Sequence, residues 1–269
     1  MEDKVPIIGI SRHRIGVDGQ GVTTLVAFHG CPLSCQYCLN PSCSGPTDGL
    51  MHLSPKELYL RVGIDNLYFL ATRGGICFGG GEPLMRMDFI HQFRLLCGHG
   101  WMLTAETSLH VPSHIIDSAA SVIDHFIVDI KDTNPSIYRN YTHKDNTLTI
   151  NNLRHLLKLV GPDRIIVRVP SIPNYNTPQD IDRSIDLLHH MGITQIDQFE
   201  YIVRKISEQS IEFSENFVQK IKDKEEESSY RFLSKILTAI LIWKINKKFK
   251  HSKFSKIISK GLKVLKNVI

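Results

Sequence analysis

What most constrains the fold of this chain is an alternation. Runs rich in β-branched and aromatic residues recur between stretches of helical period. Strand signals fall at 23–28, 76–78, 101–106, 126–130, 165–169 and 196–201, and helical ones at 55–70, 87–97, 112–120, 148–160 and 178–191. Strands separated by helices of this length read as five or six βα units, which call for an α/β fold with a parallel sheet. A chain of 269 residues is long enough to bury a sizeable core around such a sheet.

The chemistry is announced by a loop after the first of these strands. Phe28-His-Gly30 leads into Cys31-Pro-Leu-Ser-Cys35-Gln-Tyr37-Cys38, followed by Asn40. The spacing is C-x3-C-x2-C. Three thiolates on one tight loop can bind three irons of a [4Fe–4S] cube and leave the fourth without a protein ligand, open to a small molecule. A cluster that only carries electrons normally has four cysteines. Cys43 lies close by, but its x4 offset breaks the pattern. The competing reading is structural zinc, whose sites usually close with a second C-x2-C or a paired histidine; no such pair follows.

The loop and its surroundings resemble the radical S-adenosylmethionine (SAM) superfamily, and within it the activating enzymes of glycyl radical enzymes. Asp18-Gly19-Gln20-Gly21 precedes the run from Thr23 to Phe28, and the three cysteines carry an aromatic residue before the last and an asparagine after it. Matching motifs continue to about residue 202, three quarters of the chain. The resemblance implies a partial, open (βα)6 TIM-like barrel. Its cofactors would be a [4Fe–4S] cluster on Cys31, Cys35 and Cys38, and SAM. Tyr37 is carried into the cofactor site as the aromatic of the motif. In such barrels chemistry sits at the C-terminal ends of strands, where the remaining motifs fall.

Gly79-Gly80-Gly81-Glu82-Pro83 would by itself be an ordinary strand-to-helix turn. The resemblance makes Gly80, Gly81 and Glu82 the segment that binds the methionine amino group of SAM. Glu106-Thr107-Ser108 and Asp129-Ile130-Lys131 would by themselves be solvated strand ends. The resemblance places Glu106 toward the ribose or methionine part of SAM, Lys131 at its carboxylate or ribose oxygens, and Asp129 at a monovalent cation near the sulfonium. Arg168-Val-Pro-Ser-Ile-Pro-Asn-Tyr-Asn176 matches a further segment. Arg168 is either a bidentate partner for the SAM carboxylate or a structural ion pair with a barrel acid. Asn176 is expected to shape the pocket. Two departures stand out: Glu-Thr-Ser-Leu replaces the more usual Asp-Thr-Asn-Gly, and Ile202 stands where formate-lyase activases have a histidine near the adenine.

The implied function is reductive cleavage of SAM to methionine and a 5′-deoxyadenosyl radical, which takes a hydrogen from a glycine Cα of a partner enzyme. The alternative is the same cleavage directed at a small molecule or a ribosomal peptide. Between Cys38 and Gly79 the only other cysteines are Cys43 and Cys77, too few for a second cluster domain. An external flavodoxin or ferredoxin is therefore expected as electron donor. Cys77 and Cys97 read as reduced thiols, Cys43 as a free thiol or a regulatory ligand, and the thirteen histidines show no ligand spacing. No leader-like segment opens the chain, and with an oxygen-labile cluster this points to the cytoplasm.

Charge divides the chain. From Tyr230 to Ile269 there are ten lysines and one arginine against no acid, so against a whole-chain charge of +5 residues 1–229 carry −6. The acidic run 223–227 marks the break, giving a core domain over 1–222 and a charged linker and basic helical extension over 223–269. In the extension Phe254, Ile257, Ile258, Leu262, Leu265 and Ile269 share one helical face, with lysines on another. Such a helix suits an acidic protein partner, anionic lipid at the membrane surface, or packing on the barrel. No base-reading motif accompanies the charge, so no sequence-specific nucleic acid is expected.

Overall fold

A computed structural model describes residues 3–201. Eight strands form one sheet. They are β1 (Val5–Ile15), β2 (Val22–Phe28), β3 (Met51–Leu53), β4 (Gly75–Gly80), β5 (Met102–Thr107), β6 (His125–Asp129), β7 (Ile165–Ser171) and β8 (Ile196–Glu200), in the spatial order β3-β1-β2-β4-β5-β6-β7-β8. From β2 to β8 every neighbour pair is parallel, which yields the six parallel strands that the alternation predicts. The outer strands β3 and β8 do not pair with each other, so the barrel stays open. The sheet nevertheless curls. The loop between β1 and β2 reaches the inner face of the far strands, where the Val17 carbonyl accepts from Arg168 of β7 at 3.3 Å.

The helices are α1 (Pro55–Val62), α2 (Asn66–Thr72), α3 (Met87–Cys97), α4 (Ser113–Val122), α5 (Pro135–Thr142), α6 (Thr147–Val160) and α7 (Pro178–His190). Their starts are written locally. Ser54 and Glu57 form a capping box on α1, Thr177 and Asp180 form one on α7, and Asn134 caps α5. The single helix expected over 55–70 is instead two, parted by a 3-10 turn at Gly63–Asp65. Asp65 is the reason. Its carboxylate turns inward to accept from Arg12 of β1 and Thr24 of β2, and has no exposure. The antiparallel strands β1 and β3, and helix α5, are not among the expected elements.

Strand alternation sorts the side chains. One face, with Val26, Phe28, Ile76, Phe78, Leu103, Ala105, Phe126, Val128, Ile165 and Val167, packs against the helices as the main core. Phe28 stacks on Phe78 at 5.5 Å and meets Phe89 of α3 edge-on at 5.4 Å. Each such ring pair is worth about 1 kcal/mol beyond its buried area. The other face carries Cys77, Glu106, Asp129 and Arg168 into the barrel interior. There Asp129 pairs in register with Arg168, and Arg168 with Asp197. Among the described residues no helix is long and apolar enough to cross a membrane. The boundary at 222/223, the basic extension and Ile202 lie outside the described residues.

Candidate active site

The cysteine loop follows β2, and its backbone is tied on two sides. On one side the segment after β4 grips it: Gly81 N–H donates to Phe28 O at 2.9 Å, Glu82 N–H to Gly30 O at 2.8 Å, and Asn40 Nδ2 to Gly80 O at 3.2 Å. On the other, Ser34 and Gln36 N–H donate to the carbonyls of Thr142 and Tyr141 at the end of α5, each at 3.1 Å. The glycines are required by this closeness. Gly80 has φ +89°, and a Cβ there would sit 2.7 Å from Ala27; one on Gly81 would sit 2.1 Å from Gly30 O.

Between the loop and the strand ends lies a cleft of about 710 Å³, the open solvent at its mouth included. Cys31, Cys35 and Cys38 line it together with Gly80, Gly81, Glu82, Glu106, Asp129, Lys131 and Arg168. Thus four strand ends and one loop bring together all the expected site residues except Tyr37 and Asn176. Tyr37 stands behind the loop, its ring edge-on to Tyr175 at 5.6 Å and to Tyr141 at 6.1 Å. Sequence reasoning did not place Tyr201 or Leu33 here. For Tyr201 the usable signal was an aromatic closing the last strand run, one position before the residue that the register singled out.

The charged groups are mutually engaged. Arg168 donates to Glu106 at 2.5 Å and lies 4.0 Å from Asp129 and from Asp197. Arg168 thus has a barrel acid as its partner and also lines the cleft, so the ion pair and a SAM-facing position are compatible. Burial raises the pKa of Glu106, and Arg168 opposes that rise. Lys131 is buried and donates to Asp129 Oδ2 at 2.8 Å and to the Tyr201 hydroxyl at 3.0 Å. Burial alone would lower its pKa, but Asp129, Tyr201 and Cys35 together hold it above the usual lysine range. Asp129 Oδ1 is buried without a hydrogen-bond partner, an acceptor left for a ligand.

Glu82 lines the cleft with its carboxylate already engaged by the protein. It is 1% exposed, and its carboxylate accepts from Leu84 N–H, Thr107 Oγ1, Ser108 N–H and Ser108 Oγ. It staples the loop after β4 to the end of β5 and leaves the ligand-facing part of the segment to the Gly80–Gly81 backbone. Asn176 likewise works inward, bonding Ile172 N–H, Pro170 O and Asp132.

The donor set fits a [4Fe–4S] cube. Among the described residues no three His, Cys, Asp or Glu side chains converge as the ligands of one metal ion would. In a cube each cysteine binds its own iron, so three thiols spread along one cleft wall suffice. All six cysteines are free thiols. Burial pushes the Cys31 thiol up to about 12 and raises those of Cys35 and Cys38, so cluster assembly must displace protons. Cys43 is buried beside Cys38 and does not line the cleft.

A three-thiol loop at the strand ends of an open parallel βα barrel is an arrangement that can hold an iron–sulfur cluster. The chain belongs to the radical SAM superfamily, whose family model matches residues 25–197. That superfamily works with a [4Fe–4S] cluster and SAM, and its members are enzymes. Among curated relatives, the (2S)-3-sulfopropanediol dehydratase activating enzyme of Klebsiella oxytoca is 31% identical over 166 residues, 59% of this chain and 51% of that protein. The pyruvate formate-lyase 2-activating enzyme of Escherichia coli is 27% identical over 226 residues, 72% of this chain and 76% of that protein. The chain thus spans about half the length of the first and three quarters of the second. Among solved structures, Streptococcus suis SuiB bound to precursor peptide SuiA superposes with a TM-score of 0.52 at 12% identity, over 74% of this chain and 46% of that one. At that identity the likeness speaks for the fold alone.

Proposed function

We propose that this protein is an activating enzyme that installs a glycyl radical on a partner enzyme. The observation that carries the reading is the cleft itself, which the three thiols line together with Asp129, Lys131 and Arg168. The names of both curated relatives support the choice of a glycyl radical enzyme as partner. In this reading Cys31, Cys35 and Cys38 hold the cluster. The chemistry supplied there is one-electron cleavage of bound SAM to methionine and a 5′-deoxyadenosyl radical, which takes a glycine Cα hydrogen.

The protein's own residues bind and orient. The Gly80–Gly81 backbone approaches the methionine amino group, Lys131 meets the carboxylate, and the open acceptor Asp129 Oδ1 takes a cation or a ligand N–H or O–H. Holding reactants in a fixed relative geometry lowers the barrier by removing translational and rotational freedom beforehand. The reading extends to a cytoplasmic setting, to a flavodoxin or ferredoxin as electron donor, and to a core over 1–222 whose basic extension meets an acidic partner or anionic lipid.

The test is anaerobic. The reconstituted protein is mixed with SAM, a reductant and a candidate glycyl radical enzyme, and the partner is followed by electron paramagnetic resonance. A glycine-centred radical on the partner, absent without SAM, is expected. Release of 5′-deoxyadenosine with no partner radical, together with a modified small molecule or peptide, would establish the alternative.

A further inference from the structure

Lys131 is held from three directions. Its Nζ donates to Asp129 Oδ2 at 2.8 Å and to the Tyr201 hydroxyl at 3.0 Å, and lies 5.4 Å from the Tyr201 ring centroid. An ammonium has three N–H donors. Among the described residues two have protein acceptors, and Lys131, Asp129 and Tyr201 all line the cleft that the three thiols share.

Tyr201 is itself pinned. Its N–H donates to Ser171 O at 2.9 Å, and its ring packs against Tyr141 at 6.1 Å and Phe199 at 5.5 Å. It is 8% exposed.

We propose that Tyr201 is a positioning residue for SAM: with Asp129 it fixes the Lys131 ammonium so that the third N–H is presented to the SAM carboxylate. A lysine side chain has many rotamers, and holding it in one costs entropy. Asp129 alone, two residues away on the same strand end, leaves the ammonium free to swing about that one contact. A second acceptor 70 residues further along the chain, with the ring face beneath the cation, removes that freedom before the ligand arrives. The phenol does this without adding charge, so the site keeps the cation that a carboxylate needs. The inference rests on the reading of Lys131 as a SAM-facing group.

The test is a double-mutant cycle on the full-length, reconstituted holoenzyme, comparing wild type, Tyr201→Phe, Lys131→Met and the double variant. Iron content, SAM Kd, and KM and kcat for 5′-deoxyadenosine release with a chemical reductant are measured for each. Tyr201→Phe keeps the ring and removes only the hydroxyl. It is expected to retain its iron and to raise Kd and KM for SAM about 5–10-fold, in keeping with the loss of one charge-assisted hydrogen bond, with kcat falling far less. In the Lys131→Met background the same change should add less than about twofold, because its effect passes through Lys131. An equal loss in both backgrounds would overturn the proposal, and so would loss of iron in Tyr201→Phe. If Lys131→Met binds SAM like the wild type, the assignment of Lys131 falls and this inference with it. A wild type that does not bind SAM would instead strike the functional reading itself.

Discussion

Glu82 offers the sharpest separation of folding from ligand binding in this site. Its carboxylate accepts from Leu84 N–H at 3.2 Å, Thr107 Oγ1 at 2.6 Å, Ser108 N–H at 2.9 Å and Ser108 Oγ at 2.7 Å, while 1% exposed. In Glu82→Ala the two hydroxyls can turn to other acceptors, but the two backbone amides cannot. Each orphaned buried amide costs about 1–3 kcal/mol, and release from burying a carboxylate offsets part of that, so a net loss of about 3 kcal/mol is expected. For a domain of this size that corresponds to a fall in Tm of roughly 6–12 °C. Urea denaturation of the full-length chain, followed by circular dichroism, measures the loss. SAM affinity of the surviving holoenzyme should change by less than about threefold, because this carboxylate spends its hydrogen bonds on Leu84, Thr107 and Ser108. A variant with the wild-type urea midpoint and more than tenfold weaker SAM binding would refute the reasoning and return Glu82 to the ligand. The pH dependence gives a second check. Burial holds the Glu82 pKa above the ordinary carboxylate range. The folded state therefore favours the protonated form, and wild-type stability falls as pH rises through that raised value. Glu82→Gln cannot ionise, so its deficit against the wild type should shrink as pH rises.

Replacing Cys31, Cys35 and Cys38 together by alanine should abolish the broad visible absorbance and the iron of the anaerobically reconstituted protein, expected at about four per chain in the wild type, whereas Cys43→Ala should retain both; zinc retained in place of iron would count against the cluster. Arg168→Ala leaves Glu106 buried without its cation, so Glu106 should take up a proton more readily. SAM binding should weaken about tenfold by calorimetry, and Glu106→Gln combined with Arg168→Ala should recover part of the lost stability. Asp65, held below the ordinary carboxylate range by hydrogen bonds from Arg12, contributes stability present above its unfolded value and lost as pH falls through the folded one. Asp65→Asn should therefore flatten the acid limb of a stability–pH curve below about pH 4, and an unchanged limb would show that other carboxylates govern it.

Along this chain the local signals and the tertiary ones separate cleanly. Period and composition placed the six parallel strands and most of the helices, because a buried strand must read apolar and a helix must show its stripe wherever it packs. Capping residues such as Ser54, Glu57, Thr177 and Asp180 sit within a few positions of what they cap, so helix starts could be read directly. The three thiols could be read from spacing, since a tight loop keeps near neighbours near. The sequence could not say that Asp65 breaks a helix to meet Arg12 and Thr24, because its partners are more than forty positions away. It could not show Glu82 turning to Thr107 and Ser108, Arg168 taking Glu106 as its partner, or Tyr201 meeting Lys131. Those choices depend on how far each strand end advances toward its neighbour across a curled, open sheet. Register and curvature are set by the summed packing of the whole core, and no single segment of sequence carries them.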